Sequence, residues 1–157
     1  MNRFAELLDR LAYEPSRNNK QKLLADFFRQ TADPDRGFAL AAMTGALTFK
    51  HARPAVVRDL IAARVDPTLF AMSYDYVGDL SETVALLWPA PASPANSTGR
   101  NAPLAPTLSD IVETLRVTGK LDLPAQLASW LDLLDEKGRW ALLKLITGGL
   151  RIGVSAR

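Results

Sequence analysis

Phe4, Leu7, Leu8 and Leu11 recur at intervals of three and four residues, the spacing that sets side chains on one side of an α-helix. The same interval returns in Leu23, Leu24, Phe27 and Phe28, in Ile111 and Leu115, and in Leu127, Trp130, Leu131 and Leu134. No run alternates residue by residue, as a half-buried strand would. Asp33-Pro34, Arg53-Pro54, Asp66-Pro67 and Asp79 read as helix starts, Thr107 or Ser109 precedes "DIVETLRVTG", and Gly119 reads as a stop. The expected fold class is all-α, with about eight to ten short helices. Trp88, Trp130, Tyr74 and Tyr76 share helical spacing with aliphatic residues and are expected in the core.

Residues 89 to 106, "PAPASPANSTGRNAPLAP", lack any such period and read as a linker between a lobe of residues 1–88 and a lobe of residues 107–157. Sliding one lobe over the other without gaps, at an offset of 103 residues, pairs Leu24/Leu127, Ala25/Ala128, Arg36/Arg139, Leu40/Leu143, Thr44/Thr147, Gly45/Gly148 and Leu47/Leu150. Both copies run in one order: a basic loop, a helix, an Arg-bearing helix start, a helix end at Thr-Gly, and a turn. The expectation is a multi-helix domain of two lobes related by a pseudo-two-fold axis. That axis sets "SRNNK" and "TGALTFKH" of one lobe opposite "VTGK" and "TGGLRIG" of the other.

A chain of 157 residues with 48% hydrophobic residues has the composition of a globular domain with its own core. It contains no cysteine and one histidine, His51, which leaves neither a disulfide framework nor the ligands for a typical zinc site. "MNRFAELLDR" lacks the form of a secretory signal, and the longest uncharged apolar-rich run, residues 37 to 49, falls short of the roughly 20 residues a membrane span needs. A soluble cytoplasmic monomer is expected. The net charge of +2 is small, but its distribution is uneven: 14 of the 19 Lys and Arg residues lie in four stretches free of acid, residues 15–25, 36–58, 114–121 and 137–157.

Those stretches hold the candidate binding groups. Ser16 or Asn18 caps a helix whose first turn carries Arg17, Lys20 and Lys22, where cations go against the usual dipole preference. In "TGGLRIGVSAR" the apolar helix through Trp140, Leu142, Leu143, Leu145 and Ile146 ends at Gly148 or Gly149 in the left-handed conformation. Gly148, Gly149 and Gly153 let backbone N–H groups approach a phosphate or a shallow minor groove, and Arg151 adds charge. Thr44 and Lys50 occupy the matching turn of the first lobe, and Thr118, Gly119 and Lys120 close another helix with cations beside it. No catalytic or metal site is expected. There is no Gly-x-Ser-x-Gly, no phosphate-binding Gly-Lys-Ser/Thr loop and no dinucleotide fingerprint, and carboxylates such as Glu6/Asp9 and Asp132/Asp135 read as solvated helix faces.

The order of these elements resembles the N-terminal DNA-binding domain of ATP-dependent DNA ligases, in the shorter form found in bacterial enzymes. The resemblance runs through "FAELLDRL", "SRNNKQKLLADFF", Gly78-Asp79-Leu80 and the turn Gly148-Gly149-Leu150-Arg151-Ile152-Gly153, and spans nearly the whole chain apart from the linker. Two positions depart from it: Ser81 stands where the Gly-Asp-x-Gly loop has its second glycine, and Gly149 where a lysine is common. The resemblance implies an all-α, pseudo-two-fold domain that grips the minor groove on both sides of a nick. Gly148, Gly149, Arg151 and Gly153 would then meet the backbone and groove, with Arg17, Asn18, Lys20 and the Thr118-Gly119-Lys120 loop as further contacts. No Lys-x-Asp-Gly adenylation motif occurs among the six lysines, so this chain is expected to be non-catalytic. The implied parent carries nucleotidyltransferase and OB-fold domains after Arg157. There ATP and Mg²⁺ drive nick sealing in DNA repair, replication or recombination.

Two other readings compete. One is an α-helical protein-interaction module whose basic loops are merely solvated. The other, a helix-turn-helix regulator, lacks a helix with base-reading Asn, Gln or Arg along one face.

Overall fold

The stripe Phe4, Leu7, Leu8 and Leu11 is the buried side of α1 (Asn2–Tyr13) in a computed structural model that describes residues 1–90, 104–150 and 152. Eight more helices follow among the described residues: α2 (Arg17–Gln30), α3 (Asp35–Met43), α4 (Pro54–Ala62), α5 (Pro67–Val77), α6 (Leu80–Leu87), α7 (Leu108–Val117), α8 (Leu123–Leu133) and α9 (Glu136–Thr147). No strand accompanies them there, so the chain is all-α. None of these helices is long and apolar enough to cross a membrane.

Local chemistry accounts for most starts. The side chains of Ser16, Asp66, Asp79 and Asp135 each accept a hydrogen bond from a backbone N–H in the first turn of α2, α5, α6 and α9. Thr107 and Asp110 form a reciprocal capping box at α7, and Pro54 and Pro67 occupy first-turn positions where no N–H is needed. Helix α7 does stop just before Gly119, but not through a glycine cap. The chain leaves α7 in extended geometry at Thr118, whose N–H and hydroxyl both donate to the Thr114 carbonyl, and Gly119 keeps out of the left-handed region. The left-handed glycines among the described residues are Gly45, Gly78 and Gly148.

Helix α9 is the hub. Ala141, Leu142, Leu143, Leu145 and Ile146 cover more than half of its circumference and are all buried, because α1, α6, α4 and α8 pack against them. One apolar cluster runs from Phe4 to Ile146, so the two sequence lobes share a single core. Trp88 fixes them at one edge: its indole N–H donates to the Asp132 carboxylate at 2.8 Å while the Arg64 guanidinium lies 4.8 Å from the ring centre. Helix α2 is shallower, with Phe27 buried against Phe4 at 6.4 Å between ring centres and Leu23, Leu24 and Phe28 half-buried. Tyr76 is the aromatic that departs from expectation, 92% exposed on the outer side of α5.

The 103-residue offset carries over into the helices. Moved by that amount, α2 and α3 fall on α8 and α9 within a few residues at each end, and α1 falls on α7. Gly45 (φ 75°) and Gly148 (φ 71°) then coincide, each ending its helix in the same left-handed conformation. The packing crosses between the sets: α1 lies on α9, and α7 lies on α3. Helices α4 to α6 lie between the two sets in sequence.

Candidate nucleic-acid interface

The start of α2 and the turn after α9, 132 residues apart, meet at one hydrogen bond. The Lys20 ammonium donates to the Ile152 carbonyl at 3.1 Å, leaving it half-buried, while Arg17 and Asn18 remain exposed. Gly148 closes α9 by donating its N–H to the Lys144 carbonyl, and a Cβ built on it would meet nothing within 4 Å, so its backbone is open to a large partner. Gly149 is half-buried and not left-handed; the stop belongs to Gly148 alone. Arg151 and Gly153 lie outside the described residues.

Gly78, Asp79 and Ser81 brace this turn from below. The Lys144 side chain is only 13% exposed and donates to Asp79 at 2.6 Å, while Asp79 also accepts from the Glu82 N–H at 2.9 Å. Burial alone would raise the Asp79 carboxyl, but the hydrogen bonds from Lys144 and the backbone, with the lysine's charge, hold it below the ordinary carboxylate value. Ser81, buried, shares a hydrogen bond of 3.0 Å with Thr147. A glycine there could not make that link, which gives the departure at position 81 a structural role. A cleft of about 410 Å³ opens between α1, the Gly78–Asp79 loop and the terminal turn, with Leu8, Ala12, Trp140, Gly149 and Leu150 on its walls. Its two charged groups neutralise one another, so the cleft itself attracts no anion.

The remaining selected residues sit on two other turns. Thr44 is exposed after α3, and its hydroxyl donates back to the Leu40 carbonyl at 2.9 Å; Thr118 does the same to Thr114 at 2.7 Å. Their hydroxyl hydrogens are therefore directed into their own helices, and Lys50, Gly119 and Lys120 are the exposed groups nearby. Helices α3 and α7, which end in these turns, pack together through the Asp35 carboxylate on the Ser109 N–H at 2.9 Å and the Arg116 guanidinium 5.2 Å from the Phe38 ring centre. Among the described residues, no hydrogen bond or ion pair joins these two turns to the Lys20 group.

Freedom from acid along the sequence is not freedom from acid in space. Lys137 pairs with Asp9 at 2.7 Å, Lys144 with Asp79, and Arg36 with Asp33, while Arg139 donates to the Leu131 carbonyl at 2.7 Å. Arg17, Lys22, Lys50, Arg58 and Lys120 are exposed and have no ion pair among the described residues. Of the carboxylates expected on solvated faces, Glu6, Asp132 and Asp135 are exposed, while Asp9 also pairs with Lys137, Asp132 accepts from Trp88 and Asp135 caps α9. No group of three or more His, Cys, Asp or Glu that could hold a metal occurs among the described residues. Comparison of the chain with protein-family models, with curated proteins and with solved structures gives no match.

Proposed function

We propose that this chain binds duplex DNA without regard to sequence, through phosphates and the minor groove, and positions nicked DNA for an ATP-dependent DNA ligase. The observation that carries the reading is the Lys20–Ile152 contact. It joins the cationic helix start to the glycine turn, two segments selected separately by charge and by repeat position. Exposed Arg17, Lys50 and Lys120 supply the donors that phosphates require, and the open space over Gly148 lets a duplex approach. The crossed packing of α1 on α9 and α7 on α3 is what a pseudo-two-fold relation between α1–α3 and α7–α9 demands. Such a relation suits the dyad of a duplex backbone. Catalysis, with its ATP and Mg²⁺, belongs on this reading to other domains of the parent protein.

Fluorescence anisotropy with nicked and intact duplexes at two salt concentrations tests it. With about four to six phosphates neutralised, affinity should be micromolar at physiological salt and fall with a log–log slope near −0.9 per phosphate. Arg17→Ala, Lys120→Ala and Arg151→Ala should each weaken binding to all sequences alike and reduce that slope by about one. Absence of binding to either duplex at low salt removes the proposal, and strong preference for one sequence replaces it with a regulator.

A further inference from the structure

Helix α5 is the helix, among those described, with no fully buried residue. Its inner side is Phe70 and Tyr74, half-buried with their rings stacked 6.0 Å apart. On the outer side Leu69, Met72 and Tyr76 are 50%, 69% and 92% exposed. At about 100° per residue these three fall within an arc of about 60°, and they extend over about 10 Å, two turns of helix. Isolated exposed apolar residues are ordinary; a ridge of three large ones at i, i+3 and i+7 has the spacing by which paired helices recognise each other. Methionine and tyrosine are also favoured at the centres of interfaces.

The helix itself brings charge of one sign to the ridge: Asp66, its N-cap, and Asp75 are exposed, and no Lys, Arg or His occurs from Pro67 to Val77. We infer that this face docks a basic amphipathic helix of a partner protein, with large apolar residues at matching spacing and Lys or Arg flanking them. Charge selects that occupant. A second copy of the chain would set Asp66 and Asp75 against another pair of carboxylates, and duplex DNA would meet them with its phosphates. The inference stands independently of the DNA-binding reading, because it uses none of the residues assigned there.

The test uses the isotope-labelled 157-residue chain and a synthetic helical peptide of about 18 residues, with leucines along one face and lysines beside them. A matched peptide with glutamate for every lysine is the control. The lysine peptide should shift backbone resonances within residues 66–77 and bind at least tenfold more tightly than the glutamate peptide. Met72→Asp should lose the binding without moving the urea midpoint by more than the exposed position implies, and Asp75→Lys should reverse the preference between the peptides. Equal binding of both peptides, shifts located elsewhere, no binding of the lysine peptide, or displacement of that peptide by duplex DNA would each overturn the inference. So would a dimer in sedimentation that Met72→Asp dissolves, since the face would then belong to a second copy.

Discussion

The turns at Gly45 and Gly148 share sequence, conformation and place in the repeat, yet they stand in opposite relations to the rest of the molecule. Leu143 is 0% exposed in α9, whereas its counterpart Leu40 in α3 is 52% exposed. Arg139 reaches across to the carbonyl of Leu131, while Arg36 stays within its own turn on Asp33. Thr147 bonds to Ser81 of another helix, but Thr44 bonds back to Leu40. One copy is anchored on every side by α1, α6, α4 and α8; the other is held chiefly by α7. Identical local signals therefore end a helix identically, and the surroundings alone decide whether it becomes core or surface.

The largest effect should separate the paired leucines. Leu143→Ala is expected to lower stability by about 2–5 kcal/mol, and Leu40→Ala by about 0.5 kcal/mol or less, measured by urea denaturation. Similar costs would erase the contrast between anchored and surface copies. Next come the arginines: Arg139→Gln should cost about 1–3 kcal/mol through the part-buried bond it loses, and Arg36→Gln should move the urea midpoint less, because its ion pair with Asp33 is exposed.

The glycines should instead behave alike. Gly148→Ala and Gly45→Ala are each expected to cost about 1–2 kcal/mol, because both occupy the left-handed region and neither has a neighbour to meet an added Cβ. A difference well above about 0.5 kcal/mol between them would show that the two turns are not locally equivalent.

The smallest effect is the pH dependence of the Lys144–Asp79 pair, which α3 cannot share because Ala41 occupies the place of Lys144 there. A carboxyl held below its ordinary value of 3.8 contributes stability above that value and loses it as pH falls through the lowered one. Asp79→Asn should therefore lower the urea midpoint at pH 7 and converge on the parent chain as pH drops below about 4. An unchanged gap between pH 7 and pH 3 would mean that the Lys144 contact does not act through charge.

Helix class and most helix starts were legible because their causes are local: Asp66 before Pro67, Thr107 three residues before Asp110, Asp79 before Leu80. The glycine stop at 148 was legible for the same reason. What escaped was long-range. Asp9 lies 128 residues from Lys137 and Asp79 lies 65 from Lys144, so stretches free of acid looked like free charge when part of it was already paired. Tyr76 shares the period of a core residue, but among the described residues α5 packs on α4 and α6 and no helix covers its outer side. Ser81 looked like a lost glycine until its bond to Thr147 supplied a reason for a side chain there. For the candidate interface, the sequence marked which turns carry exposed cations, and only the fold brought α2 and the terminal turn together through Lys20.

The packing of α1 against α9 also bears on how the chain is made. Synthesis runs from α1 toward α9, so Phe4 can meet Phe27 of α2 early, but α9, the helix packed most extensively on α1, begins only at Glu136. At about 5–20 residues per second, that apolar stripe waits on the order of ten seconds for its permanent neighbour. A nascent chain halted before α9 therefore leaves much of that stripe uncovered, and such truncated products are expected to engage chaperones or aggregate where the chain that includes α9 does not.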